Sequence, residues 1–157
     1  MLYLLLKYLH VIGASVLLGT GAGIAFFMLL AHRTGDPGVV AGVARIVVIA
    51  DFVFTATAVV LQPITGLALV WHLGYDLREH WIVLSILLYL VTGAFWLPVV
   101  WIQDQMRREA RHAVVAAGAL PGRYFRLFRI WFAFGLPAFL SILAIVWLMI
   151  QRPPDFW

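Results

Sequence analysis

The sequence predicts an all-α integral membrane protein, a four-helix up-down bundle with kinked helices. The chain is 64% hydrophobic and 11% charged, whereas globular chains are about 45–50% apolar and about 25% charged. Four apolar stretches each reach the roughly 20 residues that cross about 30 Å of hydrocarbon. None alternates in polarity as the strands of a membrane barrel do. We therefore expect the lipid bilayer to be the chain's main partner.

Composition also excludes several classes of protein. Intrinsic disorder requires low hydrophobicity and high charge. With no cysteine in the chain, disulfides, thiolate metal sites and iron–sulfur clusters are excluded. The net charge of +4 fits a membrane topology signal, and no nucleic acid is expected. The connectors are short, so residues 1–157 are predicted to form a single transmembrane domain.

The first helix is predicted over about residues 2–31. Only Lys7 and His10 interrupt its apolar run, and a charge inside the run argues against a cleaved signal peptide. Lys7 is expected to extend to the outer interface. A stripe of small residues, which lets another helix approach closely, recurs at every fourth position: Ser15, Gly19 and Gly23. The stripe predicts a homo-oligomer or a membrane partner.

The other three helices are predicted over about 39–73, 81–106 and 124–150. Pro63, Pro98 and Pro137 lie inside them, where each removes a backbone hydrogen bond and favours a kink. The connector between Asp104 and Arg126 is long. Its first part is expected to be a polar extension of the third helix.

The distribution of positive charges predicts the orientation. The first and third connectors and their flanks carry Arg33, Arg45, Arg107, Arg108, Arg111, Arg123, Arg126 and Arg129, and the other side carries Lys7, Arg78 and Arg152. The positive-inside rule then places both termini on the periplasmic side of a bacterial inner membrane. An aromatic belt is expected at that side: Tyr3, Tyr8, Trp71, Trp81 and Trp157.

The first helix carries the main candidate site. Lys7 and His10 share a face, and Ala14 and Gly21 continue it, so a flat group has small residues to rest against. An imidazole in a membrane helix can ligate haem iron or another metal, transfer a proton or hydrogen-bond a carbonyl. A neutral histidine hydrogen-bonded inside the bundle is the alternative.

Two further histidines, His72 and His80, flank the second connector on the same side as His10. Each is a candidate second axial ligand or a solvated interface residue. His32 and His112 are expected at the opposite surface.

Polar residues follow one face of the second helix: Asp51, Thr55 and Gln62. Arg126 and Arg129 open the fourth helix at a depth similar to that of Asp51, so a structural ion pair is expected. A proton relay or a clamp for an anionic substrate is the alternative. Gln62 is expected to form an interhelical hydrogen bond or to contact a ligand. On the third helix a stripe should face the interior: Ser85, Tyr89, Thr92 and Trp96.

The opening LLLKYLHVIGASVLLGTG resembles the first helix of a superfamily that includes HemJ-type protoporphyrinogen oxidases and CopD-type copper-resistance proteins, with the match at Lys7 and His10. ITGLALV, with Gly66, is similar to the second HemJ-type helix. The segment RYFRLFRIWFAFGLPAFLSILAIVWLMIQRP resembles the last one. Over almost the whole chain, LKYLHVIGA, ADFVFTATAVVLQPITGLAL, WLPVVWIQ and WLM are similar to an uncharacterised family of small bacterial integral membrane proteins.

The resemblance to HemJ-type proteins implies b-type haem with His10 as axial ligand. Because His10 lies toward the outer side, Lys7 or Arg78 is the expected partner of a propionate. Arg126 or Arg129 would take that role only if the porphyrin reached the cytoplasmic half. Helix three, WIVLSILLYLVTGAFW, lacks the lysine and histidine of the HemJ-type pattern, so the second ligand stays unassigned.

Three functions are therefore expected as alternatives, and whether the protein is an enzyme stays open. The first is haem binding for a redox or haem-related role. The second is copper, metal or small-solute transport along a polar route formed by His10, Gln62, Thr55 and Asp51. The third is a non-catalytic scaffold or assembly subunit that uses the small-residue stripe.

Overall fold

A computed structural model describes residues 1–153, so the predicted belt residue Trp157 lies outside the described residues. Within them the chain forms four long helical spans and no strand, which confirms the all-α prediction. The helices are α1 (Leu2–Thr34), α2 (Pro37–Ala50), α3 (Ala56–Leu73), α4 (His80–Val115) and α5 (Gly122–Gln151). Each span is long and apolar enough to cross a membrane.

The second span consists of α2, a π-helical turn over Asp51–Thr55 and α3. It begins at Asp36, whose carboxylate accepts hydrogen bonds from the backbone N–H groups of Gly38 and Val39 at 2.6 and 3.2 Å. Pro37 follows at the first helical position, where its missing N–H removes no bond. The local sequence therefore fixes where this span starts.

The third span, α4, extends past its predicted end at residue 106 to Val115. Its 36 residues measure about 54 Å, well beyond about 30 Å of hydrocarbon. Asp104 supports the extension by accepting from Arg107 and Arg108 at 2.6 and 2.8 Å. The expected polar extension of the third span is therefore present and longer than predicted.

Packing differs between the two ends of the bundle. The arginine-rich end carries the connectors at 35–36 and 116–121, and the terminal end carries residue 1, the connector at 74–79 and Arg152. The large core lies in the arginine-rich half and includes Met28, Val40, Met106, Tyr124 and Trp131. The terminal half has only a small buried cluster of Trp81, Ile82 and Leu148. There α1 packs mainly on α3, and α4 on α5.

Proline and hydroxyl groups link the second and third spans. Pro63 has no N–H, so the carbonyl of Val59 lacks its helical partner. The hydroxyl of Tyr89 on α4 donates to that carbonyl at 2.5 Å. Ser85 and Thr92 on the same stripe are buried, so the stripe faces the interior as its spacing indicates.

The small-residue stripe on α1 faces out of the bundle. Ser15 and Gly19 are exposed, and a Cβ built on Gly19 would have no atom within 4 Å. One built on Gly23 would meet only Phe27 of the same helix. Within residues 1–153, no other helix uses this close-approach surface.

Candidate functional site

The imidazole of His10 lies between helices, against α3. Its Nδ1 is 2.9 Å from the hydroxyl oxygen of Thr65, which is buried. A Cβ added at Gly66 would come within 3.2 Å of the ring carbon Cε1. The missing side chain at Gly66 therefore makes room for the ring, which is half-buried.

The backbone of His10 is held to α3 as well. The side-chain amide of Gln62 donates to the His10 carbonyl at 2.9 Å. A Cβ on Gly13 would overlap that amide, so Gln62 reaches the His10 carbonyl across a position that has no side chain. We call His10, Gly13, Gln62, Thr65 and Gly66 the His10 cluster.

The hydrogen bonds of Thr65 bear on the state of the imidazole. A hydroxyl has one hydrogen to donate, and Thr65 directs it to the carbonyl of Leu61 at 2.8 Å, with that of Gln62 farther away at 3.3 Å. With its hydrogen directed there, the Thr65 oxygen can accept from an N–H at Nδ1 of His10, and the ring also lies within hydrogen-bonding reach of the Gln62 backbone. In the tautomer protonated at Nδ1, Nε2 carries a lone pair.

The other residues predicted to surround His10 are distributed over a wider area. Ala14 is half-buried, but Gly21 faces Phe139 of α5, 3.7 Å from where its Cβ would be. Lys7 is exposed, with its Nζ 5.7 Å from the centroid of the Tyr3 ring. This face of α1 therefore meets α3 near His10 and α5 near Gly21.

Both candidate second ligands lie at the terminal end. His72 is exposed and stacks on Tyr3 of α1, with ring centroids 6.3 Å apart. His80 begins α4. The stacking brings the end of α3 beside the start of α1, on the side of the bundle where His10 lies.

A second polar cluster surrounds Asp51, which is only 4% exposed and begins the π-helical turn. The amide nitrogen of Gln103 on α4 donates to the Asp51 carboxylate at 2.7 Å. The indole N–H of Trp131 on α5 donates to the Gln103 oxygen at 2.7 Å. Because an indole N–H only donates, Trp131 fixes the orientation of the Gln103 amide.

Two more polar groups are buried beside this carboxylate, the hydroxyl of Thr55 and the indole N–H of Trp96. With Asp51, Gln103 and Trp131 they form what we call the Asp51 cluster, which ties the second, third and fourth spans together. Short π-helical turns such as the one at Asp51 occur frequently at functional sites.

The predicted ion pair between Asp51 and the arginines of the fourth span is wrong. Arg126 and Arg129 are exposed, and within residues 1–153 neither forms a salt bridge. Arg129 lies two residues before the buried Trp131, and positions two apart on a helix point in different directions. The inward face of α5 therefore presents Trp131 to the Asp51 cluster.

Gln103, Trp131 and Thr65 were not among the predicted site residues. Gln103 had a signal, because the stripe of Ser85, Thr92 and Trp96 continues to it at the same helical angle. Thr65 follows Gln62 by three residues and so shares its face. Trp131 carried no signal that separates it from the other tryptophans.

The expectation for His32 needs correction, since the ring is packed between aromatic side chains. It stacks on Phe128 with centroids 3.6 Å apart and an interplanar angle of 4°. Its Nδ1 is 3.4 Å from the Tyr124 hydroxyl. His112 is exposed, as expected. The contacts of His32 fasten the end of α1 to the start of α5.

Within residues 1–153, no three histidine, aspartate or glutamate side chains come together as a metal site. His10 is thus a single potential ligand. A metal bound there would need its remaining ligands from another molecule, and a porphyrin supplies four nitrogens.

Comparison with known families shows a match to the family described as "Predicted integral membrane protein (DUF2269)", over residues 4–153. The match covers nearly the whole chain, so the protein belongs to this family, whose function is uncharacterised. It confirms the predicted membership of an uncharacterised membrane protein family, and the resemblance to HemJ-type and CopD-type proteins stays a prediction. No curated protein and no solved structure matches.

Proposed function

We propose that this member of the DUF2269 membrane protein family binds b-type haem through Nε2 of His10 and serves a redox or haem-related role. The observation that supports the proposal is the hydrogen bond between Nδ1 and Thr65, because an imidazole that donates through Nδ1 carries at Nε2 the lone pair that a metal ligand needs. Metal-ligating histidines commonly donate their other N–H in this way, which fixes the ring and raises its basicity.

Two features of the surroundings of His10 support the proposal. Gly66 and Gly13 leave room for the ring and for the Gln62 amide, and the cluster lies in the half of the bundle that has the smaller buried core. Lys7, one turn nearer the terminal end and exposed, is the proposed partner of a propionate. His72 and His80 stay candidates for a second ligand. Bound haem would supply one-electron chemistry, while the protein orients the imidazole and limits access of water.

An absorption spectrum of the purified protein tests the proposal. We expect a Soret band after expression with haem precursor, and its loss in His10→Ala. His112→Ala is the matched control, because that histidine is exposed at the opposite end, and it should keep the band. No Soret band after both expression with precursor and reconstitution with haem would reject the proposal.

Transport along His10, Gln62, Thr55 and Asp51 is less well supported. Gln62 and His10 belong to one cluster, and Thr55 and Asp51 to the other. Along the second span between Thr55 and Gln62 the buried residue is Ala58, which offers no polar group. Metal uptake into proteoliposomes that is lost in Asp51→Asn would favour transport in spite of this interruption.

The outward small-residue stripe favours a second candidate, assembly with another membrane helix, including that of a second copy. Gly19 has open space beside it, which a closely packed partner helix can occupy. Gly19→Leu should abolish chemical cross-linking between copies or to a co-purifying chain. Gly93→Leu, at another glycine with open space, is the control. A wild-type protein that is monomeric and has no partner would exclude this candidate.

The proposed location is the bacterial cytoplasmic membrane, with the arginine-rich end inside and both termini in the periplasm. The asymmetry in arginine supports it. The chain has no cysteine, so a single substitution by cysteine introduces one thiol whose labelling reports the side of the membrane. Leu77→Cys should react with an impermeant maleimide on intact cells, and Ala119→Cys only after permeabilisation. The reverse pattern would invert the orientation.

A further inference from the structure

Each acidic side chain at the arginine-rich end already has a hydrogen-bond or ion-pair partner. Asp36 caps α2, Asp104 pairs with Arg107 and Arg108, and Glu109 pairs with Arg123 at 3.0 Å. Asp51 is buried with Gln103. Five arginines are left without an acidic partner in the described part of the chain: Arg33, Arg45, Arg111, Arg126 and Arg129.

Two of these arginines lie one turn apart on α5, so Arg126 and Arg129 share a face. The 30 residues of α5 measure about 45 Å, which matches the bilayer including its headgroup layers, about 40–45 Å. Arg126 is in the second turn from the start of α5 at Gly122. The two guanidinium groups are therefore expected at headgroup depth.

The end of α1, which carries Arg33, packs against the start of α5. His32 stacks on Phe128 and contacts Phe125 edge to face at 5.7 Å, so the helix end that carries Arg33 lies beside the first turns of α5. Because the stacked rings hold both helix ends, the three arginines are mounted on a rigid support. Exposed apolar side chains continue along α5 into the hydrocarbon, among them Ile130, Phe132 and Leu136.

We propose that Arg126, Arg129 and Arg33 form a binding site for the phosphate of an anionic phospholipid. A guanidinium matches phosphate oxygens with two parallel N–H donors. The exposed apolar side chains of α5 offer a surface for the acyl chains, which a soluble phosphate lacks. The orientation of the protein in the membrane requires only positive charge at this end. Binding of a lipid phosphate requires guanidinium groups at particular positions, of which Arg126 and Arg129 are tested.

Native mass spectrometry of the delipidated protein tests the site, with phosphatidylglycerol and phosphatidylcholine of identical acyl chains as probes. The wild type should retain phosphatidylglycerol in preference to phosphatidylcholine. The double variant Arg126→Gln/Arg129→Gln should bind phosphatidylglycerol about tenfold more weakly, since two charge-assisted contacts are lost. Arg126→Lys/Arg129→Lys keeps the charge but not the paired donors, and should fall between them.

The matched control is Arg108→Gln/Arg111→Gln, which removes the same charge at the same end from the extension of α4. It should bind phosphatidylglycerol like the wild type. Equal loss in both double variants would show a general charge effect and overturn the proposal. So would equal retention of the two lipids by the wild type. Competition by glycerol phosphate at the same concentration as the lipid would identify a soluble phosphate site instead.

Discussion

The two polar clusters inside the bundle differ in how many spans their hydrogen bonds join. In the Asp51 cluster, Gln103 bonds to the carboxylate through its nitrogen and to Trp131 through its oxygen, and three spans are tied together. In the His10 cluster only two spans meet, at an imidazole that is half-buried. The Asp51 cluster thus joins three spans in the interior, whereas the His10 cluster joins two at a ring that is partly accessible.

The packing around the clusters agrees with this difference. Gln103 is fully buried, and Met28, Met106 and Tyr124 in the same half are fully buried too. His10 is half-buried in the half with the small core. Since tightly packed interiors tolerate little change, variants in the Asp51 cluster should affect stability most, and variants in the His10 cluster should affect ligand binding most.

The largest loss of stability is expected for Gln103→Leu. The change removes the Gln103 donor of the buried Asp51 carboxylate and the acceptor of the Trp131 N–H, and the expected cost is about 3 kcal/mol. Denaturant titration of the micelle-solubilised protein measures it. Gln105→Leu is the control, because Gln105 is half-buried on the same helix and should change stability by less than about 0.5 kcal/mol. Equal midpoints for both variants would show that the Asp51 cluster does not tie the spans.

A smaller loss is expected for Gly13→Ala, which tests the close approach of α1 and α3. The added methyl group overlaps the Gln62 amide and should displace it from the His10 carbonyl, at a cost of about 1–3 kcal/mol. At Gly93 an added Cβ meets nothing within 4 Å, so Gly93→Ala should instead stabilise its helix by about 0.5–1 kcal/mol. Thermal unfolding shows whether each variant is less or more stable than the wild type. Stability changes of the same sign in both variants would contradict the close approach of α1 and α3 at Gly13.

The sequence predicted the membrane spans well, because length and hydrophobicity determine them almost alone. It also placed His10, Asp51, Thr55 and Gln62 on inward faces, since helical periodicity depends only on spacing. It failed for the partner of Asp51. Spacing shows which residues share a face of one helix, but the rotation of α4 and α5 that presents Gln103 and Trp131 follows from packing between helices.

Tyr89→Phe should reduce stability by about 1–2 kcal/mol, because the Val59 carbonyl loses its donor inside the bundle. The same change is also made in the background Pro63→Ala, in which residue 63 regains the N–H that can bond to the Val59 carbonyl. In that background Tyr89→Phe should reduce the stability much less. A double-mutant cycle measured by denaturant unfolding gives the difference. Equal costs in the two backgrounds would show that the tyrosine does not compensate for the proline.

The smallest change in stability, about 1 kcal/mol or less, is expected for Thr65→Val, together with a change in His10 itself. Without the Thr65 oxygen, the N–H at Nδ1 loses its acceptor, so the proton should redistribute toward Nε2, the nitrogen proposed to bind iron. Nitrogen-15 spectra of labelled imidazole in the protein without haem report this directly. Thr57→Val is the control, because the Thr57 hydroxyl bonds to Val53 of its own span at 2.7 Å and is exposed. If both variants keep the wild-type tautomer, Thr65 does not select it.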